Sequence, residues 1–221
     1  MVQRLEALYQ KLREGCSAQQ LGRSVPMSRY TTLRLGGPAD LVLNASSVDQ
    51  LSLALKAARE TDVPVTVVGN GSNLLVRDGG IRGLVIRLCE DFAAVTGPTP
   101  LPDGSFSLTA QAGATLQKLC NVAADNGLAG LEFASGIPGS VGGGLIMNAG
   151  AYGGEMKDCV ESVVCYYLPE QRLYELDREQ CAFEYRSSLF KKMGGCVLLS
   201  AVFRLEKGEG EAIAEKMRDY N

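Results

Sequence analysis

A glycine-rich stretch from residue 136 to residue 155 constrains this chain more than any other part of its sequence. It reads GIPGSVGGGLIMNAGAYGGE, and eight of its twenty residues are glycine. Glycine backbone reaches left-handed conformations, lets a ligand approach closely and exposes N–H groups that bind phosphate. A loop this long and this poor in charge is unsuited to plain solvent exposure. It predicts the wall of a cofactor cavity, and the alternative is a tight packing loop of small residues.

Length and composition restrict the class of protein around this stretch. A chain of 221 residues suits one large domain or two small ones, and 46% hydrophobic residues can bury a sizeable core. The net charge of −3 gives no basic footprint for nucleic acid. No run approaches the roughly 18 apolar residues of a membrane span. We therefore expect no nucleic-acid partner and no membrane insertion, and we expect a monomer.

The cysteine and histidine content limits the kinds of catalytic and cofactor chemistry that this chain can carry out. The seven cysteines are scattered without a CxxC pair and the N-terminus has no signal-peptide core, which predicts a cytoplasmic protein with reduced, mostly buried thiols. The chain contains no histidine, which excludes histidine triads, histidine metal ligands and a histidyl-linked flavin. Acid–base work must fall to other side chains. We expect no bound metal, because the cysteine spacing does not support one.

Apolar periodicity predicts a helix followed by a small β-α-β-β unit. Leu5, Leu8 and Leu12 recur at helical spacing, so the spacing predicts a helix over residues 2–13. Between residues 30 and 90 we expect short strands and one helix that begins at a capping box. These elements are strands at 32–35, 41–43, 63–68, 74–76 and 84–88, with the capping box at 47–50.

The second half of the chain predicts a larger sheet with helices. Residues 93–104 are rich in proline and glycine and read as a loop or a boundary. A helix is expected from residue 116 to the Asn126-Gly127 stop signal. Further strands are expected at 105–111, 160–168, 172–175 and 196–204, and a further helix at 209–220.

A second glycine motif runs from Gly69 to Asn73 between two predicted strands. Its glycines permit a turn, and its asparagines and serine add donors to the backbone N–H groups, which is typical of a pyrophosphate cradle. The motif lacks the Gly-Lys-Ser/Thr end of a Walker A loop and the third glycine of a dinucleotide fingerprint. Asn-Gly is also a strong hairpin signal, so a plain hairpin remains the alternative.

A third motif pairs Tyr185 with Arg186. The planar guanidinium fork of an arginine binds a carboxylate bidentately and keeps its charge, so this pair could hold a carboxylate or a developing oxyanion. The alternative is a surface arginine in a turn.

Taken together, five motifs in a fixed order resemble the UDP-N-acetylenolpyruvoylglucosamine reductase family of peptidoglycan synthesis, also called the UDP-N-acetylmuramate dehydrogenase family. The resemblance covers residues from about 28 to 206. The motifs are YTT with GGPAD at 30–40, GNGSNLLV at 69–76, GIPGSVGG at 136–143, NAGAYG at 148–153 and YRSSLF at 185–190.

This resemblance implies an α+β, two-lobed FAD-binding fold of the vanillyl-alcohol-oxidase (PCMH) type, with FAD held noncovalently between the lobes. The implied parts are a lead-in at 1–27, a small β-α-β-β lobe at 28–92, a larger mixed-sheet lobe at 93–206 and the start of a linker helix at 207–221. The implied FAD-binding residues of the first lobe are Gly69, Asn70, Gly71, Ser72, Asn73 and Leu74. Those of the second lobe are Gly113, Gly136, Ile137, Pro138, Gly139, Gly142, Gly143, Asn148, Gly150 and Ala151.

By the same resemblance, NADPH reduces the FAD, and the UDP-sugar substrate then receives the hydride and becomes UDP-N-acetylmuramate for cell wall biogenesis. Arg186 would stabilise the negative charge that develops on the substrate, and Tyr185 would contact that substrate. We also expect Gly71→Val to remove FAD binding more than it unfolds the protein.

One departure from the family pattern concerns the family's third, substrate-binding domain. Its proton-donating serine, in a Gly-Ser-x-Phe-Lys-type motif, and its late glutamate have no counterpart in this sequence, and Ser187 and Ser188 belong to a different motif. We therefore expect the chain to be the FAD-binding part of a longer protein. The alternatives are a catalytically silent flavin-binding module and another flavoenzyme of the same fold.

Overall fold

The structure, a computed structural model, describes residues 1–88 and 92–220 of the chain. The chain divides into two compact units, a first unit at Met1–Phe92 and a second unit at Ala93–Asn221.

The first unit is built on a four-stranded sheet. Its strand order is β1-β2-β4-β3, in which β1 is antiparallel to β2 while β2 and β3 both run parallel to β4. The carboxyl ends of these three parallel strands therefore meet at one edge, where ligands bind in open α/β sheets. The elements are α1 (Val2–Arg13), β1 (Leu21–Pro26), β2 (Pro38–Ala45), α2 (Val48–Glu60), β3 (Val65–Val68) and β4 (Ile81–Leu88).

Several sequence-based expectations for this unit are confirmed. The first helix has the predicted bounds. Ser47 caps α2, because its side chain accepts a hydrogen bond from the backbone N–H of Gln50. The predicted strands at 41–43, 63–68 and 84–88 fall within or overlap β2, β3 and β4.

One strand of this unit was not predicted, and two predicted strands are absent. The lead-in contains β1, which pairs with β2 although its sequence, LGRSVP, lacks regular alternation and Ser24 has φ +49°. Residues 32–35 form no strand, because Arg34 adopts φ +53° in a turn. Residues 74–76 also form no strand. Their apolar character has another cause, since Leu74 and Val76 pack from a loop onto the core around Val42 and Val85.

The second unit is built on a six-stranded sheet. The order β11-β10-β12-β6-β5 is antiparallel at every pairing between described residues, and β7 also pairs with β12. The expectation of a mixed sheet in the larger lobe is therefore wrong, because the sheet with both parallel and antiparallel pairs is the four-stranded sheet of the first unit. The elements are β5 (Val95–Pro100), β6 (Phe106–Gln111), α3 (Leu116–Asp125), β7 (Leu128–Ala129), α4 (Val141–Ile146), β8 (Gly150–Ala151), β9 (Gly154–Glu155), β10 (Val160–Tyr167), β11 (Arg172–Asp177), α5 (Leu189–Met193), β12 (Cys196–Lys207) and α6 (Gly210–Asp219).

Two segments of this unit differ from the sequence-based expectation. The expected loop at 93–104 contains β5, which tolerates Pro98 and Pro100 because it lies at the sheet edge, where missing N–H donors cost little. The glycine stretch is not one long loop, because it contains α4 and the β8–β9 hairpin. Within the described ranges, no helix is both long and apolar enough to cross a membrane.

Candidate functional site

The loop after β3 is shaped by a close approach of two backbone segments. Gly71 has φ +66°, and a Cβ at this position would lie 1.9 Å from the carbonyl oxygen of Tyr30. The backbone N–H of Thr32 donates to the carbonyl of Gly71 at 3.3 Å. The absence of a side chain at Gly71 is therefore required by packing inside the first unit. This corrects the expectation for Gly71→Val, which would displace the backbone of residues 30–32 and destabilise the fold itself.

The same loop offers backbone donors that have no acceptor among the described residues. Within residues 1–88 and 92–220, the N–H groups of Gly71, Ser72 and Asn73 donate to no protein acceptor. Successive free N–H groups around a left-handed residue form an anion-binding concavity. The plain hairpin is excluded as an alternative, because β3 and β4 pair in parallel. Asn70 and Asn73 are exposed, whereas Leu74 is half-buried against the core.

The front half of the glycine stretch packs backbone to backbone against the start of α3. Ser140 caps α4 by accepting from the N–H of Gly143 at 3.3 Å. The N–H of Leu116 donates to Gly139, and the N–H of Gly142 donates to Ala112, each at 2.9 Å. These bonds place the stretch beside Gly113, another predicted site residue.

Individual glycines in this stretch serve different purposes. A Cβ on Gly142 would lie 2.9 Å from the Cβ of Ala112, so this glycine is needed for packing. Gly143 is exposed, and a Cβ there would meet only the Ser140 hydroxyl at 3.3 Å. Gly136 and Pro138 are exposed as well, Ile137 is half-buried, and the N–H of Gly136 has no acceptor among the described residues. The packing interpretation therefore holds at Gly142, and the cofactor-wall interpretation stays a prediction for the exposed positions.

Asn148 joins parts of the chain that lie far apart in sequence. It is buried, with φ +40°, and its side-chain amide donates to Oε2 of Glu155 at 2.5 Å and to the carbonyl of Glu184 at 3.1 Å. Its Oδ1 accepts from the backbone N–H of Lys157 at 3.0 Å. The side chain of this predicted cofactor-binding residue is therefore committed to holding the protein together. Gly150 and Ala151 follow it as strand β8, half-buried.

Tyr185 and Arg186 form the tip of a tight turn. The backbones of Glu184 and Ser187 exchange hydrogen bonds of 3.0 and 3.1 Å across it. Arg186 has φ +52° at the third position of the turn, where a type II turn normally places glycine. Tyr185 is 88% exposed, and the exposed Arg186 guanidinium has no ion-pair or hydrogen-bond partner in the described part of the chain.

Two hydrogen bonds bring this turn to the glycine stretch. One is the bond from Asn148 to the Glu184 carbonyl, and the other runs from the Ser188 hydroxyl to the carbonyl of Ile146 at 2.8 Å. Ser188 is fully buried with its hydroxyl already engaged, so it is unsuited to proton transfer. Sequence reasoning missed the anchoring roles of Ser140 and Ser188. For Ser140 a usable signal existed, since serine directly before a helical run is a typical N-cap.

A cleft of about 640 Å³ in the second unit contains none of the predicted site residues. Five carboxylates and two guanidinium groups line it, and these include Arg204, which pairs with Asp103 and with Glu161. This dense charge is unlike the mostly apolar lining of a pocket for a flat aromatic ring.

The described cysteines are free thiols, five of them buried, and Cys89 lies outside the described residues. Burial is the main cause that raises the pKa of Cys120, Cys165 and Cys181 to about 12. These three groups are therefore protonated and unreactive at neutral pH. Among the described residues, no group of three or more metal-binding side chains is placed to hold an ion.

Comparison with known proteins first defines the class. The family model described as "FAD binding domain" matches residues 39–173. Alkyldihydroxyacetonephosphate synthase superposes with a TM-score of 0.66 at 14% identity, covering 90% of this chain and 40% of the synthase. A cholesterol oxidase from B. sterolicum superposes with a TM-score of 0.65 at 16% identity, covering 85% of this chain and 37% of the oxidase. The fold is that of FAD-binding proteins of the vanillyl-alcohol-oxidase (PCMH) type.

Closer relatives identify the family. UDP-N-acetylenolpyruvoylglucosamine reductase of Rubrobacter xylanophilus is 44% identical over 88% of this chain and 63% of its own length. The Clostridioides difficile reductase is 41% identical over 96% of this chain and 67% of its own length. The crystal structure of the Thermus caldophilus enzyme superposes with a TM-score of 0.74 at 34% identity, over 89% of this chain and 66% of that one. This chain belongs to the UDP-N-acetylenolpyruvoylglucosamine reductase family. It spans less than two thirds of the length of the Rubrobacter relative.

Proposed function

We propose that this chain is the FAD-binding part of an NADPH-dependent reductase that converts UDP-N-acetylenolpyruvoylglucosamine to UDP-N-acetylmuramate. The names of its relatives and the matched FAD-binding family support this proposal. The pathway would be peptidoglycan precursor synthesis in the cytoplasm, a compartment that suits the unpaired thiols. We propose a monomer that binds a reduced nicotinamide cofactor and a UDP-sugar.

The residues present fit a dinucleotide flavin. In the first unit, the free N–H groups of Gly71, Ser72 and Asn73 suit a diphosphate, and Gly69, Asn70 and Leu74 complete that loop. In the second unit, the positions at 136–138, 143 and 150–151 are exposed or half-buried, and Gly136 and Gly143 carry no side chain that would keep a flat ring from the backbone. Bound FAD would supply hydride transfer between a reduced nicotinamide and the enol ether of the substrate. Asn148, Gly139 and Gly142 would act by fixing the backbone of this wall.

One observation carries the proposal most directly. Arg186 is exposed, has no partner in the described part of the chain and sits at a left-handed backbone position that glycine normally occupies. A strained, unpaired arginine costs stability, so its presence indicates a functional demand. Its planar fork would pair with the substrate carboxylate and stabilise the negative charge that develops beside it during reduction. The exposed ring of Tyr185 would contact the same substrate.

The first experiment tests cofactor binding. Purified chain is titrated with FAD and then precipitated with acid. Because the chain has no histidine and its described buried thiols are protonated, we expect all yellow colour in the supernatant. Colour that stays in the pellet would show a covalent link and contradict the noncovalent site. Failure to bind FAD at all would overturn the proposed function.

The second experiment separates a reductase part from a silent module and from an oxidase. Loss of flavin absorbance is followed after anaerobic mixing with NADPH, and a UDP-N-acetylenolpyruvoylglucosamine solution or air is then added. Reduction by NADPH would support the reductase part, and no reduction would favour the silent module. Because the sequence has no counterpart of the family's proton-donating serine, we expect the reduced chain not to be reoxidised by this substrate, and rapid reoxidation with product formation would contradict that expectation. Arg186→Gln is expected to keep FAD and its NADPH-dependent reduction. Rapid reoxidation by air alone would favour an oxidase.

A further inference from the structure

Arg87 occupies the carboxyl edge of the parallel strands in the first unit. It is the penultimate residue of β4, in register with Val68 at the end of β3 and with Asn44 near the end of β2. The glycine loop begins at Gly69, one residue after Val68. Ligands in sheets of this kind bind just outside this edge.

The guanidinium of Arg87 is held in place by neutral groups. Its Cζ lies 3.9 Å from the centroid of the Tyr30 ring, and its Nη1 donates to Oδ1 of Asn44 at 2.7 Å. Its Nε is buried without an acceptor, and its Nη2 makes no hydrogen bond to any described residue. By contrast, Arg82 near the other end of the same strand pairs with the carboxylate of Asp40 at 2.6 Å.

The charge of Arg87 is therefore not compensated within the described part of the protein. Half-buried cations are usually paired with an anion, because removing a charge from water costs free energy that a neutral ring and one amide oxygen only partly return. The aromatic face and the amide fix where the guanidinium points without neutralising it. This arrangement leaves the positive charge available to a ligand.

Tyr30 connects this charge to the glycine loop. Its ring lies against the Arg87 guanidinium, while its carbonyl oxygen fills the space in which Gly71 would carry a side chain. Gly71 is the first of three successive residues, Gly71, Ser72 and Asn73, whose N–H groups have no acceptor among the described residues. A guanidinium and a row of free backbone donors thus belong to one edge of one sheet.

We infer that Arg87 binds the same phosphate-type anion as these three N–H groups, through its free Nη2 and its charge. Identification of that anion as the diphosphate of FAD rests on the proposed function. The charge-assisted contact adds to the backbone cradle and makes affinity depend on salt.

The experiment compares FAD titrations of the wild-type chain with three variants. Arg87→Gln removes the charge at similar size, Arg87→Lys keeps the charge, and Arg82→Gln makes the same charge change near the opposite end of β4. We expect Arg87→Gln to weaken FAD binding by about 10- to 100-fold and to flatten its salt dependence. Arg87→Lys should recover part of this loss, and Arg82→Gln should stay within about twofold per unit of folded protein.

A second probe keeps the inference independent of the cofactor's identity. Inorganic pyrophosphate is titrated while thermal unfolding is recorded, and we expect it to stabilise wild type and Arg87→Lys but not Arg87→Gln. If wild type binds no FAD, the proposed function fails and the pyrophosphate result still decides the role of Arg87. If FAD and pyrophosphate act equally on wild type and Arg87→Gln, or if pyrophosphate does not stabilise wild type, the inference is overturned. Circular dichroism of each variant establishes that it is folded, and a partial recovery in Arg87→Lys shows that the charge matters.

Discussion

Replacing Asn148 with alanine tests the link between the glycine stretch and the Tyr185–Arg186 turn. The change removes two bonds donated by the side-chain amide, to Glu155 and to the Glu184 carbonyl, and one accepted from the N–H of Lys157. It also places alanine at φ +40°, a conformation that asparagine tolerates better.

The expected magnitude follows from these losses. The two bonds to neutral backbone groups contribute about 1 kcal/mol each, and the bond to the partly exposed Glu155 carboxylate about 1 to 1.5 kcal/mol. The left-handed backbone adds about 1 kcal/mol. Asn148→Ala should therefore lower the free energy of unfolding by about 4 kcal/mol, which corresponds to a fall in melting temperature of roughly 8 to 16 °C.

Urea and thermal unfolding measure the effect, with Asn148→Gly and Asn121→Ala as controls. The glycine variant loses the same hydrogen bonds without the backbone strain, so we expect it to be about 1 kcal/mol more stable than the alanine variant. Asn121 is exposed on α3, and its replacement should change stability by less than about 0.5 kcal/mol. A loss below about 1 kcal/mol in Asn148→Ala would refute the idea that this side chain holds the two motifs together.

Three further predictions concern single positions. Gly143→Ala should weaken FAD binding and cost less stability than Gly142→Ala, because its Cβ meets only the Ser140 hydroxyl, at 3.3 Å. Gly142→Ala should cost about 1 to 3 kcal/mol in urea unfolding, because its Cβ lies 2.9 Å from the Cβ of Ala112. Equal stability losses would argue against the distinction. Arg186→Gly should raise stability in urea unfolding by about 1 kcal/mol, and Gln171→Gly, at φ +54°, should gain about the same stability without affecting FAD binding. Burial raises the folded-state pKa of the Cys120 thiol to about 12, so its contribution to stability is complete below pH 9 and is lost as the pH rises toward 12. The free energy of unfolding, measured from pH 8 to pH 11, should therefore fall less steeply with pH in Cys120→Ala than in wild type. The same pH dependence in both proteins would contradict this assignment.

The sequence allows regular elements to be predicted wherever periodicity and capping agree. The α1 helix and the Ser47-capped helix have apolar residues on one face and clear ends, so local pattern and tertiary packing give the same answer. Strand prediction failed where apolar residues in a loop pack onto the hydrophobic core. Leu74 and Val76 resemble a strand because they are apolar, yet they reach the core from a loop.

In the candidate site, too, local sequence predicted some features, whereas others depend on tertiary packing. Which residues form the motifs could be predicted, because glycine runs and the Tyr185–Arg186 pair are visible in the sequence. Their individual purposes could not, because they depend on distances between segments far apart in the chain. Gly142 is required by Ala112, and Asn148 is occupied by Glu155 and the Glu184 carbonyl. Arg87 carries no local motif, and only the structure shows that its guanidinium has no anionic partner among the described residues.

The central position of β12 in the larger sheet has a consequence for how the protein is made. This strand pairs with β10 on one side and with β6 on the other, and β6 ends at Gln111 whereas β12 begins at Cys196. Every strand of the first sheet, in contrast, is complete by Leu88. During synthesis, the first unit can close its sheet while much of the second is still being translated. Strands β5 and β6 must then wait, with an unpaired edge, for about 85 further residues to leave the ribosome, at roughly 5 to 20 residues per second. Aggregation and chaperone contact should therefore concentrate on the β6 edge of the nascent chain during that interval.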